Sequence, residues 1–172
     1  MAIELTLVAP GGIRTALQHL LPGYEKATGN KVTGSYVSGG ATKQKIIEGE
    51  LFDVPVIQPP YDAVLASGNL DAKSETPLAT VSVVAAQSGW ESVKMLGRGE
   101  VELGITFASE NDPNPDVQML GALPRDVSIP TGFVGFIHAR TAHREAAAAL
   151  LKYLSTADAA KIFTECGMTP GT

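Results

Sequence analysis

Cys166 is the lone cysteine of the sequence, so neither an internal disulfide nor a thiolate metal site can form. The three histidines, His19, His138 and His143, show no metal-ligand spacing, and no metal site is read from them. Positive charge is scarce. Thirteen Lys and Arg against 18 Asp and Glu leave a net charge of −5, with no basic run to neutralise a phosphate backbone. Nucleic acid is thereby excluded as a partner class. No segment approaches the ~20 consecutive apolar residues of a membrane span. The opening "MAIELTLVAP" has no basic region leading an apolar one, so no signal peptide is read there. That opening fits a cytoplasmic protein or a mature form whose leader has been replaced by Met.

The familiar phosphate and hydrolase motifs are missing too. "GGATKQ" does not have the spacing G-x-x-x-x-G-K-[ST], and no G-x-G-x-x-G occurs. "GFVGF" is not the G-x-S-x-G of a nucleophile elbow. No cofactor is implied and no catalytic residue is assigned. Glu48, Glu50 and Asp53 lie close together at a helix exit, where solvation or a capping bond is the expected role.

Glycine (18) and proline (11) are plentiful, and hydrophobic residues make up 44% of the chain. That combination describes short elements joined at tight turns around a core, within one α/β domain spanning residues 1–172. Ile3–Ala9 reads as a strand. Ile13–Ala27 reads as a helix with Ile13, Ala16, Leu17, Leu20, Leu21 and Tyr24 on one face, and Pro22 is expected to kink or split it. Strand Lys31–Val37, helix Ala41–Glu48, strand Asp53–Pro59 and helix Tyr61–Ser67 follow. This rhythm predicts a three-layer α/β/α sandwich on a mostly parallel sheet.

Further on, Leu78–Ala86, Glu100–Ala108 and Ser128–Ala139 read as strands and Trp90–Gly97 as a helix. Asn111–Asp116 reads as a loop, with a short strand after it in "VQMLGALP". Thr141–Cys166 reads as two helices meeting at Ser155–Thr156. Trp90, Phe133 and Phe136 are expected in the core. His19 is expected to be structural, and His138 and His143 are expected at the surface beside a turn.

Ligands of parallel α/β sheets lie beyond the C-terminal ends of the strands. Two turns there are rich in glycine: "APGGIR" after the first strand and "VSGGATK" after the second. Their exposed amides, each backed by a helix N-terminus, suit an anion. Pro10, Gly11, Gly12, Ser38, Gly39 and Gly40 are the candidate donors, with Arg14 and Thr42 as secondary ones. Phe107 joins them because it closes a strand where a ligand would sit. Taken alone, either turn is equally explained as a sharp bend.

The segment from "LTLVAPGG" to "DVPVIQPP", with "YEKATG" and "EGELFDV" inside it, resembles the first lobe of bacterial solute-binding proteins of the molybdate-binding type. The tail, with "GRGEVELGI", "TGFVGFIHA" and "AAALLKYLSTADAAKIFTECG", resembles that family's closing section. The resemblance implies a periplasmic binding module that delivers a small anion to a membrane ABC permease. The molybdate binders carry serines in both loops. Gly12 stands in the first loop here, and only Ser38 precedes the glycines of the second, so the implied ligand is an oxyanion or a small carboxylate. A few relatives isomerise tricarboxylic acids, which implies an aconitate-type isomerase as the alternative; a ligand-free structural fragment is the third reading.

The resemblance also implies a shortened chain. Residues 1–86 and about 125–172 match the first lobe, and 87–124 would be a remnant of the second, as in an engineered or degenerate single-lobe form. Weak or undetectable ligand binding and a homodimer, strand-exchanged or otherwise, are the expected consequences.

Overall fold

The computed structural model describes residues 2–86, 104–110 and 119–171. Strand β1 (Glu4–Pro10) leads through a 3-10 turn, Gly11–Ile13, into helix α1 (Arg14–Thr28). Strand β2 (Lys31–Val37), helix α2 (Gly39–Ile47), strand β3 (Val54–Ile57) and helix α3 (Asp62–Ala66) complete the alternating half. Then come strands β4 (Leu70–Val81), β5 (Val83–Ala86), β6 (Gly104–Phe107), β7 (Met119–Ala122) and β8 (Thr131–His138). Helices α4 (Arg144–Leu154) and α5 (Ala157–Glu165) and the short strand β9 (Thr169–Pro170) close the chain. The expected helix Trp90–Gly97, the start of the strand Glu100–Ala108 and the loop Asn111–Asp116 lie outside the described residues.

Six strands form one sheet in the order β2-β1-β3-β8-β4-β9. Side chains of β1 alternate across it. Leu5, Leu7 and Ala9 join the core that α1, α4 and α5 cover, whereas Val8 joins Ile46, Phe52 and Val64 on the face of α2 and α3. The three-layer α/β/α arrangement follows, since each sheet face must be shielded from water.

The sheet is mixed, which corrects the mostly parallel one expected. β1 pairs in parallel with β2 and β3, but β8 is antiparallel to both β3 and β4, and β9 is antiparallel to β4. Topology gives the reason. The chain leaves this sheet along β4, enters a separate three-stranded antiparallel sheet of order β6-β5-β7, and returns along β8. A departing and a returning strand lying side by side must run in opposite directions.

Two local expectations also change. Helix α1 runs unbroken through Pro22, because Leu17, Leu20, Leu21 and Tyr24 are buried on either side of it while Pro22 itself faces solvent. Tertiary packing of that face outweighs the one backbone bond Pro22 cannot make. His138 is fully buried rather than superficial. It ends β8 opposite Leu70, and the chain folds back so that the Arg140 amide donates to its Nδ1 at 3.1 Å.

Candidate functional site

The C-terminal ends of the three parallel strands open onto one cavity of about 630 Å³. β1 and the turn after it contribute Pro10, Gly11 and Gly12, the end of β2 and the start of α2 contribute Val37, Ser38 and Gly39, and Gln58 directly follows β3. Arg14, Gln18 and His19 enter from the first turns of α1, Tyr36 from β2, and Phe107 and Glu110 from the end of β6 and the turn after it.

Neither glycine-rich turn uses left-handed backbone. Gly11 and Gly12 form the 3-10 turn, and Gly39 and Gly40 are the first residues of α2. Close approach demands glycine at position 12, and at position 39 it meets only the movable end of a side chain. A Cβ on Gly12 would stand 2.8 Å from Phe107 Cδ2 and 3.1 Å from Phe133 Cζ, and one on Gly39 would strike the Gln58 amide oxygen. Gly11, Gly12 and Gly39 bring backbone to the cavity wall, and the first amides of a helix have no carbonyl one turn back to bond. The dipoles of α1 and α2 add partial positive charge there.

Ser38 caps α2, its Oγ accepting from the Ala41 amide at 3.2 Å, which leaves its own proton free to be donated. The Arg14 guanidinium carbon lies 5.6 Å from the centroid of the Tyr36 ring. Burial raises the pKa of the Tyr36 hydroxyl, against the opposing charge of Arg14. The buried Ser109 hydroxyl donates to the Gly12 carbonyl, and Phe107 meets Phe133 edge to face at 6.2 Å. These contacts fix the 3-10 turn from outside.

Of the residues singled out in the sequence, Pro10, Gly11, Gly12, Arg14, Ser38, Gly39 and Phe107 line the cavity together. Gly40 is not among the lining residues, and a Cβ there would meet only open space. Thr42 is fully buried and donates its hydroxyl to the Ser38 carbonyl at 3.0 Å. Among the described residues, no group of three His, Cys, Asp or Glu side chains could hold a metal ion, and no helix is long and apolar enough to cross a membrane.

A family model described as bacterial extracellular solute-binding protein matches the chain over residues 5–89 and 82–169. The chain belongs to that family. This solute-binding protein is 26% identical to an aconitate isomerase from Pseudomonas sp., over 96% of its own length and 87% of the relative's. That alignment runs to 229 positions against 172 residues here, so the relative has stretches with no counterpart in this chain.

The periplasmic molybdate-binding protein of Azotobacter vinelandii superposes with a TM-score of 0.83 at 15% identity, over 98% of this chain and 100% of that one. A tungstate-binding protein from Desulfovibrio alaskensis G20 gives 0.72 at 11% identity, over 99% and 100%. At such identities the likeness establishes the shared fold.

Among the polar groups lining the cavity of this solute-binding protein, sequence reasoning passed over Thr15, Gln18, Tyr36, Gln58 and Glu110. Gln58 directly follows β3 and Glu110 ends the turn after β6, the positions where α/β ligands gather. That rule, applied to the third strand and to "TFASE" as well as to the two glycine turns, would have found these two.

Proposed function

We propose that the chain is the binding module of an ABC uptake system, periplasmic in location, which takes a small anion in this cavity and hands it to a membrane permease. One observation carries the reading: in a solute-binding fold, two helix starts, Ser38 and Arg14 converge on one cavity at the ends of three parallel strands. An oxyanion or small carboxylate would accept from the opening amides of the two turns and from the Ser38 hydroxyl. Arg14 would supply the formal charge.

Residues 1–86 and about 125–172 make up the first lobe in this reading. The segment 87–124 is what remains of a second lobe, cut back in an engineered or degenerate form. One lobe removes little of the ligand from water, so affinity is expected on the order of millimolar. An NMR titration with molybdate, sulfate, citrate and aconitate tests the proposal. Shifts concentrated at Pro10–Arg14 and Tyr36–Gly39 support it. Silence toward all four, and toward phosphate and glycine as well, overturns it, and micromolar affinity overturns the single-lobe account.

A second reading is favoured by two observations: the aconitate isomerase among the relatives, and His19, which lies in the cavity wall where a proton-abstracting base would be needed. Interconversion of aconitate isomers by the protein, abolished in His19→Gln with ligand shifts retained, would establish it. No interconversion would leave the binding module.

A further inference from the structure

Glu110 brings a negative charge into a cavity whose other groups attract anions. A Cβ added to Gly11 would stand 3.7 Å from Glu110 Oε1, so this carboxylate oxygen lies against the first glycine turn. Its other oxygen, Oε2, accepts from the Thr106 hydroxyl. The residue before it, Ser109, is buried and fastened to the Gly12 carbonyl. The turn Ala108–Glu110 is therefore pinned at both its middle and its end, and the carboxylate is held in the cavity wall rather than left to swing into solvent. Glu110 also lines a smaller adjoining cavity of about 280 Å³ with Val83, Ile105, Thr106 and Phe107. It stands at the junction of the two.

An ionised carboxylate has only acceptors to offer. An anion without a proton to donate, bound at the glycine amides, would face a like charge a few ångströms away. An anion that carries a donor turns that repulsion into a charge-assisted hydrogen bond. We propose that Glu110 is the specificity-determining acceptor of this site. On this proposal, which rests on the anion-binding reading above, the cavity takes anions bearing their own hydrogen-bond donor. Two sources share that chemistry: a protonated tetrahedral oxyanion, and a carboxylate with an ammonium group beside it. A fully deprotonated anion of the same shape is rejected, because a site with a fixed acceptor discriminates by the unmet bond.

The test compares matched probes on the full chain near neutral pH by NMR titration: phosphate against sulfate, and glycine against acetate. Binding of phosphate about tenfold tighter than sulfate, or of glycine about tenfold tighter than acetate, supports the proposal and tells which donor is read. In Glu110→Gln, whose amide donates as well as accepts, the preferred pair should become equal, chiefly because the donorless anion gains. Equal affinities within both pairs in the unmodified protein overturn the proposal while leaving the anion site standing. A preference unchanged in Glu110→Gln overturns it as well. If none of the four probes shifts the cavity residues, the anion site itself fails, and the proposal with it.

Discussion

Gly12 lies beneath two aromatic rings, one of which, Phe133, is fully buried and has nowhere to move. Gly12→Ala is expected to destabilise the protein by about 1–3 kcal/mol through overpacking, read as a lowered urea midpoint. Gly39→Ala meets only the flexible end of Gln58, and alanine is the better helix former by about 0.8–1.0 kcal/mol. Its net effect should stay within about 1 kcal/mol. Equal losses in the two variants would remove ring crowding as the reason for glycine at position 12.

His138 poses a different question, because it is buried with Nε2 lacking a partner among the described residues. Burial, then the charge of Arg140, holds its pKa below the ordinary 6.5, against the opposing charge of Asp53. Above 6.5 both folded and unfolded chains carry a neutral ring. As acid is added the unfolded chain takes the proton first, so stability is lost from about pH 6.5 downward.

Asp53 acts lower. Burial pushes its carboxyl up, but hydrogen bonds from Thr141 and from the Thr6 amide and hydroxyl, with the charge of His143, bring it below 3.8. Its contribution is present above pH 3.8 and lost as pH falls through the folded value. His138→Gln should flatten the stability profile just below 6.5 and leave the loss near 3.8 in place. An unchanged slope below 6.5 would assign it to another group.

Helix α2 has nine residues and spends its first two positions on glycine. Neither length nor propensity favours it. It is held by Ile46 and Thr42 in the core and by the Ser38 cap. Ser38→Ala should lose about 1 kcal/mol and Ser38→Gly only a few tenths, with faster amide exchange in the first turn of α2 marking the lost cap. If Ser38→Ala is neutral by denaturation, the glycine turn is positioned by Gln58 and the core alone. Helix α5 offers the comparison, since Thr156 caps it by accepting from the Ala159 amide at 3.2 Å without bordering the cavity.

The three-stranded sheet and the loop after it leave large apolar side chains in water: Ile105 is 65% exposed, Leu120 60% and Ile129 82%. Among the described residues, strands β6 and β7 are the two edges of that sheet. Exposed apolar groups beside unpaired edges favour self-association, and a homodimer, strand-exchanged or otherwise, is the expected outcome. Light scattering at high protein concentration should report twice the chain mass. Ile105→Lys with Leu120→Lys should return the monomer. A monomer in the unmodified protein would show that these side chains remain in water.

Period and punctuation account for what could be read in advance. The β-α-β-α-β-α half was legible because alternating strands and one-sided helices bury each face locally, and Leu5, Leu7, Leu17 and Leu20 fall where that periodicity puts them. The two glycine turns were legible for the same reason, since strand ends announce them. Direction of pairing was not. That β8 runs against β3 and β4 depends on a chain that leaves the sheet and returns, and hydrophobic pattern is the same for either direction. Nor could the sequence place Glu110 beside Gly11 or seat His138 in the core, for these neighbours lie far apart in the chain. Only the closed fold brings them within a few ångströms, where burial and Coulombic contact set their chemistry.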